Sequence, residues 1–533
     1  MDRERFQQLI QTFFVCNKRP LLQILDEFLT TLQAEELLPP GILMSRNYET
    51  AQENPEIHTL PGNLKDARDA IFPYFWGTDG WSSHLHLENV KGPANYASLV
   101  GAIACLLKNP NLCVDTYSQR SNELEVKAIT SLANLIFYNT ESPWGVFTMG
   151  GTISNLYGGK IGIEKVHSGA MRRGLEGARL SGVVSEAAHY SNATLAGWLG
   201  LGTDHLVSVP TDRNLAMRID RLAETLDHLY HDGRQVAFVI ATFGSTDAFG
   251  IDDVAAVRQT IEEMAWKHGQ TVPQLHVDAA VGWSLCFLTE YDRERNPLTL
   301  SASLLKQLEK ARAECLKLHH ADSLTLDFHK MGWGHYPASA FIVNRRADLK
   351  YLFREREEMP YFSEADYRHD PAIFTLECSR PGIGPYSVMA SLNGLGMVGC
   401  QMLVAHAIEM ATKLKERIER LDHCKVLNLE TIGPSVVWWV LPRGRDAKAI
   451  FEQLERGELN DEQCHRYFAE VRRLYDKREV TLDKARDARL SFSTSIGYKP
   501  HGHDLPAWKA VFFNPRTDDA VIDQVMQSIE DLM

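Results

Sequence analysis

Cysteine is scarce in this 533-residue chain: nine residues, scattered, with no Cys-x-x-Cys pair and no Cys/His spacing suited to a metal. That pattern excludes a disulfide scaffold and a zinc ribbon; reduced thiols and no metal are expected. Long apolar runs are also missing early in the chain. The longest, residues 99–107, is far too short to cross a bilayer, and the opening Met1-Asp2-Arg3-Glu4-Arg5 lacks the apolar segment of a signal peptide. A soluble, cytoplasmic protein with no membrane partner is expected. Positive charge is short as well: 56 Lys and Arg against 69 Asp and Glu leave a formal charge of −13, with no basic tail. Nucleic acid is thereby disfavoured as a partner. Internal repeats and low-complexity linkers are absent.

What is present suits a large globular protein. Hydrophobic residues make up 44%, and the length allows a sizeable core and more than one domain. Phe6, Leu9 and Phe13 repeat at helical spacing before a Pro/Asn-rich passage, so residues 1–115 read as an N-terminal helical arm. Residues 116–395 carry an α/β pattern. The apolar run 236–240 predicts a strand buried on both faces; Val254, Val257, Ile261 and Met264 predict a helix ending at His268-Gly269; a second strand is predicted from Gln274 to Val277. A charged residue at the carboxyl end of the second strand of a βαβ unit lies where open parallel sheets bind ligands. Past residue 396 the period changes: a long helix to about Leu421, a strand over 436–440, a helix near 461–476, alternation at Leu490, Phe492 and Thr494, and a final amphipathic helix bearing Ile522, Val525 and Ile529. Residues 396–533 read as a smaller C-terminal α+β domain that closes over the first.

Four segments carry chemistry. Lys330, in Asp327-Phe328-His329-Lys330, is a primary amine on a flexible stem that can condense with an aldehyde, with a pKa expected to be lowered by desolvation. Asp278, in His276-Val277-Asp278-Ala279-Ala280, is an anion closing a buried strand and suited to holding a protonated pyridine nitrogen. Gly150-Gly151-Thr152-Ile153-Ser154-Asn155 opens a predicted helix, its glycines allowing close backbone approach and Thr152 and Ser154 offering hydroxyls to a phosphate; Gly244-Ser245-Thr246 offers further hydroxyls. His189 supplies an imidazole able to stack over an aromatic ring. Together they point to pyridoxal 5'-phosphate (PLP).

In the order and spacing of GGTISN at 150–155, His189, HVDAA at 276–280, DFHK at 327–330 and Ser379-Arg380-Pro381-Gly382, the chain from about residue 84 onward resembles the group II pyridoxal-phosphate decarboxylases. The resemblance implies an aspartate-aminotransferase-like (fold type I) domain with a mainly parallel central sheet, and a homodimer whose active sites are shared between subunits. It also implies roles: Lys330 as the imine-forming lysine, Asp278 as partner of the ring nitrogen, His189 as the stacking histidine, Gly151, Thr152 and Thr246 around the phosphate, Ala280 beneath the ring and His329 beside the lysine. Asp327 and Phe328 depart from the Asn and Pro found there in many members. In the aromatic-amino-acid branch a loop tyrosine in an Asp-Tyr-Arg-His setting is the proton donor to the substrate carbon; Asp366-Tyr367-Arg368-His369 matches it, with Tyr361 the alternative.

Substrate choice rests on fewer residues. Lys509, in Trp508-Lys509-Ala510, falls where glutamate decarboxylases place an Arg on the substrate α-carboxylate, and a lysine cannot reproduce that planar clamp. Val90 replaces a side-chain amide, leaving His86 and Asn89 as candidate polar contacts to a shorter acid. The chain most resembles bacterial aspartate 1-decarboxylases, which implies a small acidic substrate, L-aspartate, decarboxylated to β-alanine for pantothenate and coenzyme A synthesis. L-Glutamate, cysteine sulfinate and L-2,4-diaminobutyrate are the alternatives, and a noncatalytic PLP-binding dimer is the reading from another class.

Overall fold

The computed structural model describes residues 3–13, 18–37, 48, 52, 59–74, 83–138, 143–355, 358–359, 370–483 and 486–533. They fall into two compact units, residues 1–86 with 481–489, and residues 87–480 with 490–533.

The first unit is helical, with helices Arg3–Phe13, Lys18–Leu37 and Leu64–Ile71. Asn63 caps the last by accepting from the backbone N–H groups of Lys65 and Asp66, while Asp66 answers the Asn63 N–H. Phe6 and Phe13, read as an apolar stripe, remain exposed at 48% and 41%.

The second unit contains two sheets. Seven strands, β1 (Trp144–Thr148), β2 (Leu180–Ser185), β3 (Leu206–Val209), β4 (Gln235–Thr242), β5 (Gln274–Asp278), β6 (Ser323–Asp327) and β7 (Ser339–Val343), are ordered β1-β7-β6-β5-β4-β2-β3. β6, β5, β4, β2 and β3 run parallel, and β7 is antiparallel to both its neighbours. A second, antiparallel sheet is ordered β10-β11-β9-β8, from β8 (Cys424–Val426), β9 (Ser435–Val440), β10 (Ser491–Ser493) and β11 (Ala507–Val511).

Helices cover the large sheet on both faces because its central strands β4, β5 and β6 are buried along almost their whole length, with apolar residues on either side. Val239 and Val277 join the core holding Val254, Val257 and Ile261, while Phe238 and Ile240 face Ile163 and Leu195. The helices that matter below are α1 (Tyr96–Lys108), α2 (Gly151–Val166), α3 (Ile219–His231), α4 (Val254–Lys267) and α5 (Ile383–Ile418). α2 lies flush on the sheet because it is glycine-faced: a Cβ on Gly158 would enter the His276 ring, and one on Gly162 the Ala237 carbonyl oxygen. α5 starts earlier than its sequence suggests and is broken at Gly396, which has a φ of +62°. It is the one described helix long and apolar enough to cross a membrane, and part of it is buried within this unit.

The Ser379-Arg380-Pro381-Gly382 segment is tied down by a buried bidentate pair. Arg380 Nη1 and Nη2 lie 2.6 and 2.8 Å from the two Glu125 carboxylate oxygens, and Nη2 also donates to the Leu112 carbonyl. This anchors the chain where α5 begins.

Candidate active site

A cavity of about 280 Å³ opens at the carboxyl ends of β4, β5 and β6, where the strands give way to loops and α2 begins. Its lining includes Gly151, Thr152, His189, Thr246, Asp278, Ala280, His329 and Lys330, residues spread over 180 positions of sequence.

Asp278 ends β5 and faces the cavity. Its carboxylate accepts from Asn155 Nδ2 at 2.8 Å and from the Ala280 backbone N–H at 3.1 Å, and no Lys, Arg or His forms an ion pair with it among the described residues. A network holds Asn155 in turn: Thr325 Oγ1 donates to Asn155 Oδ1 at 2.7 Å, and His276 Nε2 stands 3.1 Å from the same oxygen. Burial pushes the His276 imidazole down to about 3, so this network is neutral and leaves the carboxylate charge for the cavity. A carboxylate so placed fits a protonated pyridine nitrogen.

Lys330 sits one turn past the end of β6, its Nζ 2.9 Å from Asp327 Oδ2. Burial disfavours the ammonium, but the Asp327 charge and hydrogen bond outweigh burial and hold the amine above its usual value. This reverses the lowered pKa expected from the sequence. The buried Asp327 carboxyl would by desolvation alone rise; the charges of Lys330 and His329 bring it below the usual carboxylate range, helped by Ser339 Oγ, which donates at 2.5 Å.

Burial lowers the His189 imidazole, with Asp278 opposing, so the ring is neutral at pH 7. The Ser191 backbone N–H donates to Nδ1 at 3.2 Å, which puts the ring proton on Nε2. His329 stacks on Tyr336 with ring centroids 3.7 Å apart, and its Nδ1 accepts from the Ala338 N–H at 3.3 Å. Gly151 and Thr152 present the first N–H groups of a 16-residue helix to the cavity, a ready site for a phosphate. A Cβ at Gly151 would lie 2.8 Å from Asp327 Oδ2, so the Asp327 carboxylate would have to shift to admit one.

The conserved domain of the pyridoxal-dependent decarboxylases matches residues 40–441. The chain belongs to the pyridoxal-dependent decarboxylases. It is similar to L-2,4-diaminobutyrate decarboxylase of Acinetobacter baumannii, 27% identical over 406 residues that cover 71% of this chain and 72% of the relative. It is also similar to the acidic amino acid decarboxylase GADL1 of Bos taurus, 24% identical over 446 residues, or 82% of this chain and 75% of the other. The crystal structure of mouse CSAD superposes with a TM-score of 0.75 over 96% of this chain and 99% of that one at 19% identity, a likeness of fold. This decarboxylase therefore uses PLP, and the cavity fits it: an anion at one end, helix N–H groups at the other, and an amine between.

Other sequence candidates lie elsewhere in this decarboxylase. Ser154, read as a phosphate donor, is buried, its Oγ 2.7 Å from Thr148 Oγ1, because its place in the first turn of α2 turns it toward β1. Lys509, on β11, forms an ion pair with Asp247 at 2.8 Å and does not line the cavity; Asp247 follows Thr246, which does. His86 belongs to the helical unit, where Arg489 Nη2 meets its Nδ1 at 2.6 Å. Asn89 is exposed and absent from the lining. Tyr361 and Tyr367 lie outside the described residues. Sequence reasoning missed Tyr336 and Ser191 in the lining, and Asn155 and Asp247 behind it. Asn155 alone carried a signal: four residues after Gly151, it lies on the same helix face.

Proposed function

We propose that this decarboxylase removes the α-carboxylate of a short L-amino acid with a charged side chain, and that L-aspartate, giving β-alanine and carbon dioxide, is its preferred substrate. The observation that carries the chemistry is the convergence of Asp278, His189 and Lys330 on one cavity at the strand ends. The relative named for acidic amino acids supports an acidic substrate.

When bound, PLP supplies an electron sink for the pair left on Cα as carbon dioxide departs. Asp278 would keep the ring nitrogen protonated, and Ala280 and the neutral His189 imidazole would contact the ring. Thr152, Thr246 and Gly151 would hold the phosphate. Lys330 would be the amine that holds the cofactor's aldehyde until substrate takes that place. Tyr367 would return a proton to Cα.

L-2,4-Diaminobutyrate is the second reading. Asp247, 2.8 Å from Lys509 and one residue past the cavity-lining Thr246, offers a carboxylate to a distal ammonium, and the Acinetobacter relative is named for that substrate. Carbon dioxide release with amine identification for L-aspartate, L-glutamate, cysteine sulfinate and L-2,4-diaminobutyrate under identical conditions tests both. Aspartate is expected to give the highest kcat/KM; a higher value for diaminobutyrate establishes the second reading and removes the first.

The protein acts, in this proposal, as a cytoplasmic homodimer. Tyr96, Val100, Leu106 and Leu107 on α1, with Val398 and Met402 on the adjacent α5, leave apolar side chains 54–74% exposed on one unit. A second copy accounts for such a surface.

A further inference from the structure

Toward the amino ends of β4 and β5, opposite the cavity, three side chains on two helices gather potential metal ligands. Asp227 and His231 lie four residues apart on α3 and so share a face. His268 is the C-cap of α4, packed alongside. Because α4 runs back from the carboxyl end of β4 to the amino end of β5, its C-terminus and this cluster lie away from the cofactor chemistry. One ligand atom from each residue lies within 4.8 Å of the other two.

We propose that Asp227, His231 and His268 form a divalent transition-metal site, of the Zn²⁺ class, that staples α3 to α4. Two nitrogens and one carboxylate oxygen make a donor set suited to such ions. Tetrahedral bonds of about 2.0–2.1 Å place neighbouring ligand atoms about 3.3 Å apart. His268 Nε2 already stands 2.9 Å from Asp227 Oδ1, and His231 Nδ1 3.4 Å from Asp227 Oδ2. The two contacts fall on different carboxylate oxygens, so the carboxylate has to turn as the histidines draw together, and His231, 67% exposed in its side chain, has room to follow. The ring of His268 is braced by Tyr230, with centroids 5.3 Å apart.

Two groups compete: the Asp227 backbone carbonyl, which accepts from His231 Nδ1 at 2.9 Å, and Lys267. The Lys267 Nζ is 2.6 Å from Asp227 Oδ1, the oxygen that His268 also meets. Coordination requires that ammonium to swing into water, which its half-exposed side chain permits, and the ligating imidazole nitrogens to release any proton they carry. The remaining coordination positions are left for water, and the site has no part in decarboxylation.

Zn²⁺ binding to the PLP-loaded enzyme by titration calorimetry, with melting measured in parallel, tests the site. One equivalent should bind to the wild type, weakened roughly tenfold or more in His231→Ala and in Asp227→Asn and tightened in Lys267→Ala. Zn²⁺ should raise the wild-type Tm by about 1–2 °C and leave His231→Ala unmoved. His231 is exposed, so this variant is expected to melt with the wild type in chelator. Equal Zn²⁺ affinity in wild type and both ligand variants, or no bound equivalent at a metal concentration of about 100 µM, overturns the proposal.

Discussion

Asp327 sits between two demands. Its carboxylate is 2.9 Å from Lys330 Nζ and borders Gly151 at the N-terminus of α2, the place proposed for the phosphate. An ammonium cannot attack an aldehyde, so the charge that raises Lys330 slows its condensation with PLP at neutral pH. The wild-type rate of PLP capture should therefore rise with pH through neutrality into the alkaline range. In Asp327→Asn the amine loses its counter-ion and its pKa falls, so the rise should shift to lower pH and capture at pH 7 should quicken several-fold. Stopped-flow absorbance during reconstitution reads both; an unshifted profile would remove Asp327 from this role. Lys330→Ala should bind PLP without the shift of its absorption to longer wavelength that condensation brings. The motif made Lys330, Asp278 and His189 legible in the sequence. It did not make the sign of the lysine's shift legible, because desolvation and a counter-ion act in opposite directions and only their separation in space decides between them.

At the scale of elements, α2 shows how a local rule yields to packing. Glycine at 158, 159 and 162 weakens the helix by about 1 kcal/mol per position relative to alanine, and an isolated segment of this composition would be a poor helix. Against the sheet the missing Cβ atoms are what bring the backbone of α2 close enough for Asn155 to reach Asp278 and for the Gly151 N–H to face the cavity. Gly162→Ala should accordingly destabilise the protein by about 2 kcal/mol, overpacking against the Ala237 carbonyl outweighing the gain in propensity. Denaturant unfolding measures it; a neutral or stabilising result would mean that α2 can shift without cost. β4, α4 and β5 were legible with bounds close to those observed, since continuous apolar runs and a 3.6-residue period are local signals. The start of α5 at Ile383 was not, because Gly382 and the kink at Gly396 obscure its period.

For the whole molecule, the exposed face of α1 and α5 is the feature that one chain leaves unexplained. Val100 and Leu107 stand 66% and 74% exposed on a helix that is apolar throughout most of its length. Placing a charge there in a dimer would bury it without a partner, whereas in a monomer it would be solvated. Val100→Asp with Leu107→Asp should therefore convert the proposed dimer to monomers, seen by sedimentation velocity, with loss of activity if the sites are shared. Wild-type protein that sediments as a monomer at micromolar concentration would refute the dimer.

By itself the sequence determined the class of chemistry and the frame that carries it. Ordered motifs fix covalently which groups follow each strand, and the apolar period fixes which segments become strands and helices. Only the tertiary structure decided the pairings between distant positions: Lys509 with Asp247, Arg380 with Glu125, Asn155 with Asp278, and Asp227 with His268. Each joins residues with no periodic relation along the chain. A lysine read as a free hand for substrate is an ion-pair partner once the loop after β4 and strand β11 meet, and a charge acts on what lies within a few ångströms, whatever its place in the sequence.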